Sequence, residues 1–240
     1  MTTLARITIA LILSLLASSC MFDVNWGPGK KGNGVVVEET RSVSEDFTSV
    51  TASEGLDVYV TQGEDFSIRV EADENVIELI GTDIRDGRLR VHAIENIGRA
   101  TKNVYVSLPE VTELSASSGS DLMAQGAISA DKIRLDASSG ADLHVEVEAD
   151  EVEADCSSGA DLRISGRTNL LYADASSGSD IKAEGLDAKV CHANASSGSD
   201  IRVTVSESLT ADASSGADIR YSGEANVHAK KSASGSVNRY

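Results

Sequence analysis

Six aspartates recur along the second half of the chain: Asp121, Asp142, Asp161, Asp180, Asp200 and Asp218, at steps of 21, 19, 19, 20 and 18 residues. Two positions after each comes Met123, His144, Arg163, Lys182, Arg202 or Arg220 in turn. A second series, Asp136, Asp155, Asp174, Asn194 and Asp212, keeps the same step. Carboxylates repeated in this way suit three kinds of chemistry. They can hold a hard cation such as calcium. They can flank a glycosidic bond as acid and base. They can also form an ion-pair network with the basic residues beside them.

The network is the leading reading, because the acids and their basic neighbours appear in every repeat, as scaffold residues do. Calcium is the second. Gly-x-Asp repeats resemble the calcium-binding nonapeptide coil, but the period here is about twice as long, serines replace its first glycines, and the apolar residue directly follows Asp. A carbohydrate-active enzyme is the third reading. It would need carboxylates that break the repeat. His92, His144, His192 and His228 are scattered without metal-ligand spacing. There is no Gly-x-Ser-x-Gly, phosphate loop or His-Glu-x-x-His. No catalytic residue, resident metal or cofactor is expected.

The aspartates sit inside a longer phrase, Ala-Ser-Ser-Gly-(Ser/Ala)-Asp-(Leu/Ile). It recurs from Ala116, Ala137, Cys156, Ala175, Ala195 and Ala213, with a worn copy at Ala233–Val237 and a variant at Ser53–Val58. A near-constant step of 18–21 residues marks a solenoid, in which each repeat buries its apolar face by stacking on its neighbours. The predicted fold is all-β, a parallel β-helix with a strand-rich, less regular N-terminal half. Around Gly140, Ile133, Leu135 and Ala137 alternate with polar residues, and so do Leu143 and Val145 after the corner. Two or three short strands per rung follow from this pattern, with second turns at Gly126, Gly166, Gly185 and Gly223. Leu122, Leu143, Leu162, Ile181, Ile201 and Ile219 form an apolar spine, and Ala116 and its equivalents form a narrow wall. Aromatics are 4% of the 240 residues, so the core must be thin.

Upstream, strands are predicted at Val35–Val37, Phe47–Val50, Asp57–Thr61, Ser67–Glu71, Arg88–His92 and Val104–Leu108. Residues 1–19 read as an export signal: Arg6, the apolar run Ile7–Leu16, then small residues before Cys20. Those small residues resemble a lipobox, with Leu16 four rather than three positions before the cysteine. Cys20 would then be lipidated. The alternative is an ordinary signal peptide in which Cys20 is incidental. Residues 20–34 carry the lipidated Cys and a Gly-rich flexible linker, and 35–240 are the solenoid, irregular over 35–110 and regular over 111–240. Cys156 and Cys191 lie two rungs apart, about 9.6 Å at the strand spacing. That exceeds the ~7 Å limit for Cα atoms in a disulfide, so both are expected inward and unpaired.

Loss of the signal leaves the chain one unit more negative than its −17. Such a surface disfavours nucleic acid as a partner. The expected partners are a membrane, through the lipid on Cys20, and a protein or glycan ligand. The expected location is the bacterial cell envelope, at the outer membrane.

Several stretches resemble one bacterial family. They are Asp46-Phe47-Thr48-Ser49-Val50, Gly55–Gly63, Asp86-Gly87-Arg88-Leu89, Val104–Pro109 and the run of Ser-Gly-(Ser/Ala)-Asp-apolar phrases. Together they resemble the family described as "putative auto-transporter adhesin, head GIN domain", common among exported Bacteroidetes proteins. The resemblance spans about residues 47–235. It implies a β-solenoid behind a lipoprotein signal and supplies no catalytic residues. The word adhesin in its name is an inference from fold. Nearly every residue of the phrase is explained by folding, so function is expected where the repeat fails: residues 64–103, Met123 and His144 among the basic positions, and the worn last rung.

Overall fold

The structure is a computed structural model describing residues 29–230 and 234–240. The export signal, Cys20 and the first part of the spacer lie outside the described residues, as does Ala233. The irregular half contributes β1 (Val36–Arg41), β2 (Ser49–Ala52), β3 (Asp57–Gln62), β4 (Ser67–Asp73), β5 (Ile80–Arg85), β6 (Arg88–Ala93) and β7 (Lys102–Leu108). The regular half contributes β8 (Glu113–Ala116), β9 (Asp121–Ala137), β10 (Asp142–Cys156), β11 (Asp161–Ala175), β12 (Asp180–Ala195) and β13 (Asp200–Ala213). The last turns hold β14 (Asp218–Ser222), β15 (Asn226–Lys230) and β16 (Ser236–Arg239). The result is a β-solenoid of about seven turns.

The regular rungs are simpler than the sequence pattern suggests. Instead of two or three short strands, each is one strand of 14–17 residues that bends without losing its parallel partners. Rung length still varies, and the ladder absorbs most of the surplus near the second turn, with one further shift between Ala188 and Val190. Register shifts fall between His144 and Glu146, Arg163 and Ser165, and Ala183 and Asp187, all near the second turn. The Ser-Ser-Gly corner and the residues on either side of it therefore stay aligned through the stack.

That corner has a definite geometry. In the copy at Ala116, Ser118 has φ 54° and Gly119 φ 68°, and the Ser120 amide donates to the Ser117 carbonyl at 3.2 Å. Two consecutive positive φ values closed by this bond make a type I′ turn. The second serine is thus as left-handed as the glycine, which the sequence reading did not anticipate. Its strain is offset along the stack. The Gly119 amide donates to the Ser139 carbonyl, Gly140 to Ser158, Gly159 to Ser177 and Gly178 to Ser197, at 3.1–3.2 Å. The fifth position faces inward: where it is serine, at Ser120, Ser179 and Ser199, the hydroxyl donates to a carbonyl of the preceding rung at 2.8–3.0 Å. Alanine fills the same buried place at Ala141, Ala160 and Ala217.

The spine from Leu122 to Ile219 and the wall from Ala116 to Ala213 are buried. Cys156 and Cys191 are buried and unpaired. Burial pushes their thiols up to about 11 and about 12, where they stay protonated and inert.

The N-terminal half continues the coil out of chain order. Parallel pairing places β2 between β6 and β8, and β3 between β7 and β9. The chain lays down the β2–β3 rung first and adds the β6–β7 rung outside it later. Then the direction reverses: β4 runs antiparallel to both β7 and β1, and β5 antiparallel to β6. This reversed layer covers the end of the solenoid, which otherwise presents an open strand edge. Strand β5 was missed in the sequence, where Gly81 and Asp83 interrupt the pattern. A Cβ there would lie 2.5 Å from His92 Nε2, so a larger residue would displace the ring from its bond to Asp83. One expectation is corrected at its end. The spacer read as flexible through residue 34 is docked from Lys30 onward. Lys30 pairs with Ile97, and the Gly32 amide donates to Arg99 at 3.0 Å. Asp73, only 3% exposed, accepts from the amides of Gly34 and Thr101.

Candidate functional site

Stacking converts the repeat into columns on the outer face. The first acidic column runs Asp57, Asp121, Asp142, Asp161, Asp180, Asp200 and Asp218 in continuous register. The basic column two positions on also extends further than the sequence showed. It runs Arg69, Tyr105, Tyr59, Met123, His144, Arg163, Lys182, Arg202 and Arg220. The tyrosines were not assigned to it, although Asp57-Val58-Tyr59 repeats the spacing of Asp121-Leu122-Met123. The second acidic column, Asp136 to Asp212, is likewise in register.

Ion pairing along these columns is uneven. Lys182 bonds Asp161 one rung back and Asp180 in its own rung. Arg220 meets Asp218 at 3.7 Å, Arg134 meets Asp155 at 2.6 Å, and Lys230 meets Asp212 at 2.7 Å. These exposed pairs add little stability each; their effect is to relieve repulsion between stacked acids. Asp57, Asp121 and Asp142 lack that relief: none has an ion pair within 4 Å among the described residues. Burial, and then a hydrogen bond and charge from Asp57, push the Asp121 carboxyl above the ordinary range. Burial and the charges of Asp121 and Asp161 raise Asp142 as well.

These shifts have a direction in stability. A carboxyl raised on folding binds its proton more tightly in the folded chain, so folding is weakened above the folded pKa and relieved as pH falls through it. Asp136 and Asp155 are raised too, chiefly by burial, while Asp83 is lowered by its hydrogen bond to His92 and acts oppositely. The melting temperature is therefore expected to rise as pH is lowered from 7 towards the ordinary carboxyl pKa of about 4. Asp121→Asn should raise it at pH 7 and flatten the slope. Calorimetric scans across that range check this; a melting temperature that falls steadily from pH 7 would contradict it.

Beside the three unpaired aspartates lies a groove of about 280 Å³, lined by Tyr59, Met123, His144 and Arg163 together with Asp57, Asp121, Asp142 and Asp161. Met123 is 45% exposed, a large apolar side chain facing solvent where later rungs carry a cation. The rings of Tyr59 and Tyr105 stack with centroids 5.0 Å apart. The Arg69 guanidinium covers the outer face of Tyr105 at 4.1 Å and bonds Glu38 at 2.8 Å. A wider groove of about 1120 Å³ follows another face and is lined by acids outside the repeat, including Asp131, Glu146, Glu148, Asp150 and Asp187. They are exposed; Glu148 pairs with Arg167 at 3.0 Å, and Asp150 accepts from Asn169 at 2.7 Å. Among the described residues no three His, Cys, Asp or Glu side chains converge on a metal-holding position.

The family described as "putative auto-transporter adhesin, head GIN domain" matches residues 46–225, three quarters of the chain. The chain belongs to this head-GIN family. Solved structures share the fold of this head-GIN chain. A "putative adhesin" from Bacteroides fragilis NCTC 9343 superposes with a TM-score of 0.78 at 16% identity, over 88% of this chain and 100% of that one. A "putative adhesin" from Parabacteroides merdae ATCC 43184 gives 0.72 at 19% identity, over 88% and 98%. A "putative lipid binding protein" from Parabacteroides distasonis ATCC 8503 gives 0.72 at 16% identity, over the same shares. At such identities the likeness is one of fold alone. No curated protein matches the chain.

Proposed function

We propose that this head-GIN chain is a non-catalytic, adhesin-like module of the bacterial cell envelope, anchored at the outer membrane by a lipid on Cys20, that binds a protein or glycan through its rung faces. The observation that carries the binding reading is the stretch from Tyr59 to His144. It is a partly apolar patch in which Met123 is exposed and Tyr59 half-buried, bordered by three acids that make no ion pair. Folding does not require an apolar side chain there, because the later rungs carry a cation at that position, and this favours a contact role. Family membership supports the adhesin-like part, and the lipobox-like residues before Cys20 support the anchor. The docking of residues 30–34 adds geometry. The chain enters at the covered end of the solenoid, and ten residues from Cys20 span at most about 36 Å. The covered end would then sit near the membrane, with the regular rungs pointing away.

A second reading, a carbohydrate-active enzyme, has the wide acidic groove in its favour, because its carboxylates break the repeat. One set of experiments addresses both. In cells fed labelled palmitate, the full-length chain should take up label and Cys20→Ala should not. The purified chain should adhere to host matrix proteins or glycans while releasing no reducing ends from polysaccharides. Equal labelling of Cys20→Ala would remove the anchor; release of reducing ends would favour the enzyme.

A further inference from the structure

The outward column contains a gap in the chain's own charge compensation. From His144 to Arg220 each rung places a titratable or basic residue beside its aspartate, but the rungs before them place Tyr59 and Met123 there. Asp57, Asp121 and Asp142, the three carboxylates facing this gap, make no ion pair within 4 Å among the described residues; Asp200 makes none either, but it has Arg202 beside it in its own rung. Lys102, Arg163 and Lys182 reach Asp121 and Asp142 only through space.

The same column shows how it accommodates a cation. At its N-terminal end the Arg69 guanidinium lies on the face of Tyr105 and bonds a carboxylate, Glu38. Tyr59 covers the other face of Tyr105, so the two-ring stack ends on Tyr59, towards Met123 and the groove. Met123 holds the column position next to Tyr59, so a cation entering the groove would meet the Met123 thioether beside the tyrosine ring, and carboxylates within side-chain reach. A groove of about 280 Å³ is small, the size of one long side chain rather than a folded domain. The net charge of −17 would steer a basic partner towards it.

We infer that this groove receives an arginine or lysine side chain of a basic protein partner, its stem over Tyr59 and Met123 and its charged end between Asp57, Asp121 and Asp142. This rests on the binding reading above and names the chemistry of the partner. Neutral glycans, which the same carboxylates and tyrosine would also contact, are the competing occupant.

The test uses the purified full-length chain in detergent with a fluorescent nona-arginine peptide as probe, followed by polarization at physiological salt. Diffuse attraction to an acidic surface must be separated from a site, so the variants are paired. Met123→Arg restores the pattern of the later rungs and should fold at least as well as the parent. It fills the gap from within and should weaken binding about tenfold or more. Thr210→Arg adds the same charge at an exposed position on another face and should change binding less than twofold. Tyr59→Ala, which leaves the charge unaltered, should also weaken binding several-fold. Equal losses from Met123→Arg and Thr210→Arg would overturn the site. If the peptide is not retained while the chain still adheres to glycans, the basic occupant is wrong and the binding reading stands. If the chain adheres to nothing, both fall.

Discussion

Leu162→Asp is expected to abolish cooperative unfolding of the solenoid. Leu162 is fully buried, in register between Leu143 and Ile181 at the middle of the apolar spine. Replacing it removes about 2 kcal/mol of apolar burial. It also leaves a carboxyl among apolar side chains with no partner, which costs several kcal/mol more even when the group takes up a proton. A total above about 5 kcal/mol is comparable to the whole stability of an ordinary domain. In a solenoid the position matters further, because each rung contacts only its neighbours. A defect in the central rung uncouples the covered N-terminal end from the C-terminal turns. Circular dichroism melts should show a broad, early transition. Arg163→Asp, one residue away on the outer face, should shift the midpoint by only a degree or two. A sharp transition at the parent temperature for Leu162→Asp would mean that the spine does not face inward.

The regular half was legible in the sequence because one constraint acts on every copy. Leu122, Leu143, Leu162, Ile181, Ile201 and Ile219 must each fill the same interior position, so their alternation with aspartate survives six times. The two acidic columns follow from the same register. Other features were hidden because a single chain position cannot report them. The left-handed φ of Ser139 and its equivalents is imposed by the turn and repaid by hydrogen bonds from the adjacent rung's glycine, a contact some twenty residues away in sequence. The order of the N-terminal rungs was hidden for a related reason: β2 and β3 lie between strands that come later in the chain. Without that order Tyr59 and Tyr105 read as ordinary strand residues rather than members of the column that contains Met123. The candidate groove was therefore half visible. Met123 and His144 stood out as breaks in a basic series, but the aromatic wall beside them needed the fold.

The two kinds of glycine in the rungs should respond very differently to the same small change. Gly159, in the Ser-Ser-Gly corner, has φ +70°, and a Cβ built on it meets nothing within 4 Å. Gly159→Ala therefore carries only the left-handed backbone penalty of about 1–2 kcal/mol, and the neighbouring Ser158 already tolerates φ 55°. Gly166, at the second turn, has φ +107°, and its Cβ would lie 2.0 Å from the Val147 carbonyl oxygen. That atom belongs to the backbone of the preceding rung, so a rotamer change cannot relieve the overlap. The rungs must separate locally, breaking ladder hydrogen bonds and opening the interior at Val147 and Ile164. The expected cost of Gly166→Ala is about 3 kcal/mol or more, backbone strain and lost packing together. Gly223 faces the same obstacle, with the Val205 carbonyl oxygen 2.1 Å away. It should be the less damaging of the two, because fewer rungs stack beyond it. Urea midpoints for Gly159→Ala, Gly166→Ala and Gly223→Ala should rank in the order Gly159, Gly223, Gly166 from mildest to most severe. Equal midpoints for Gly159→Ala and Gly166→Ala would mean that the second turn is not a close backbone contact, and that the glycine there serves φ alone.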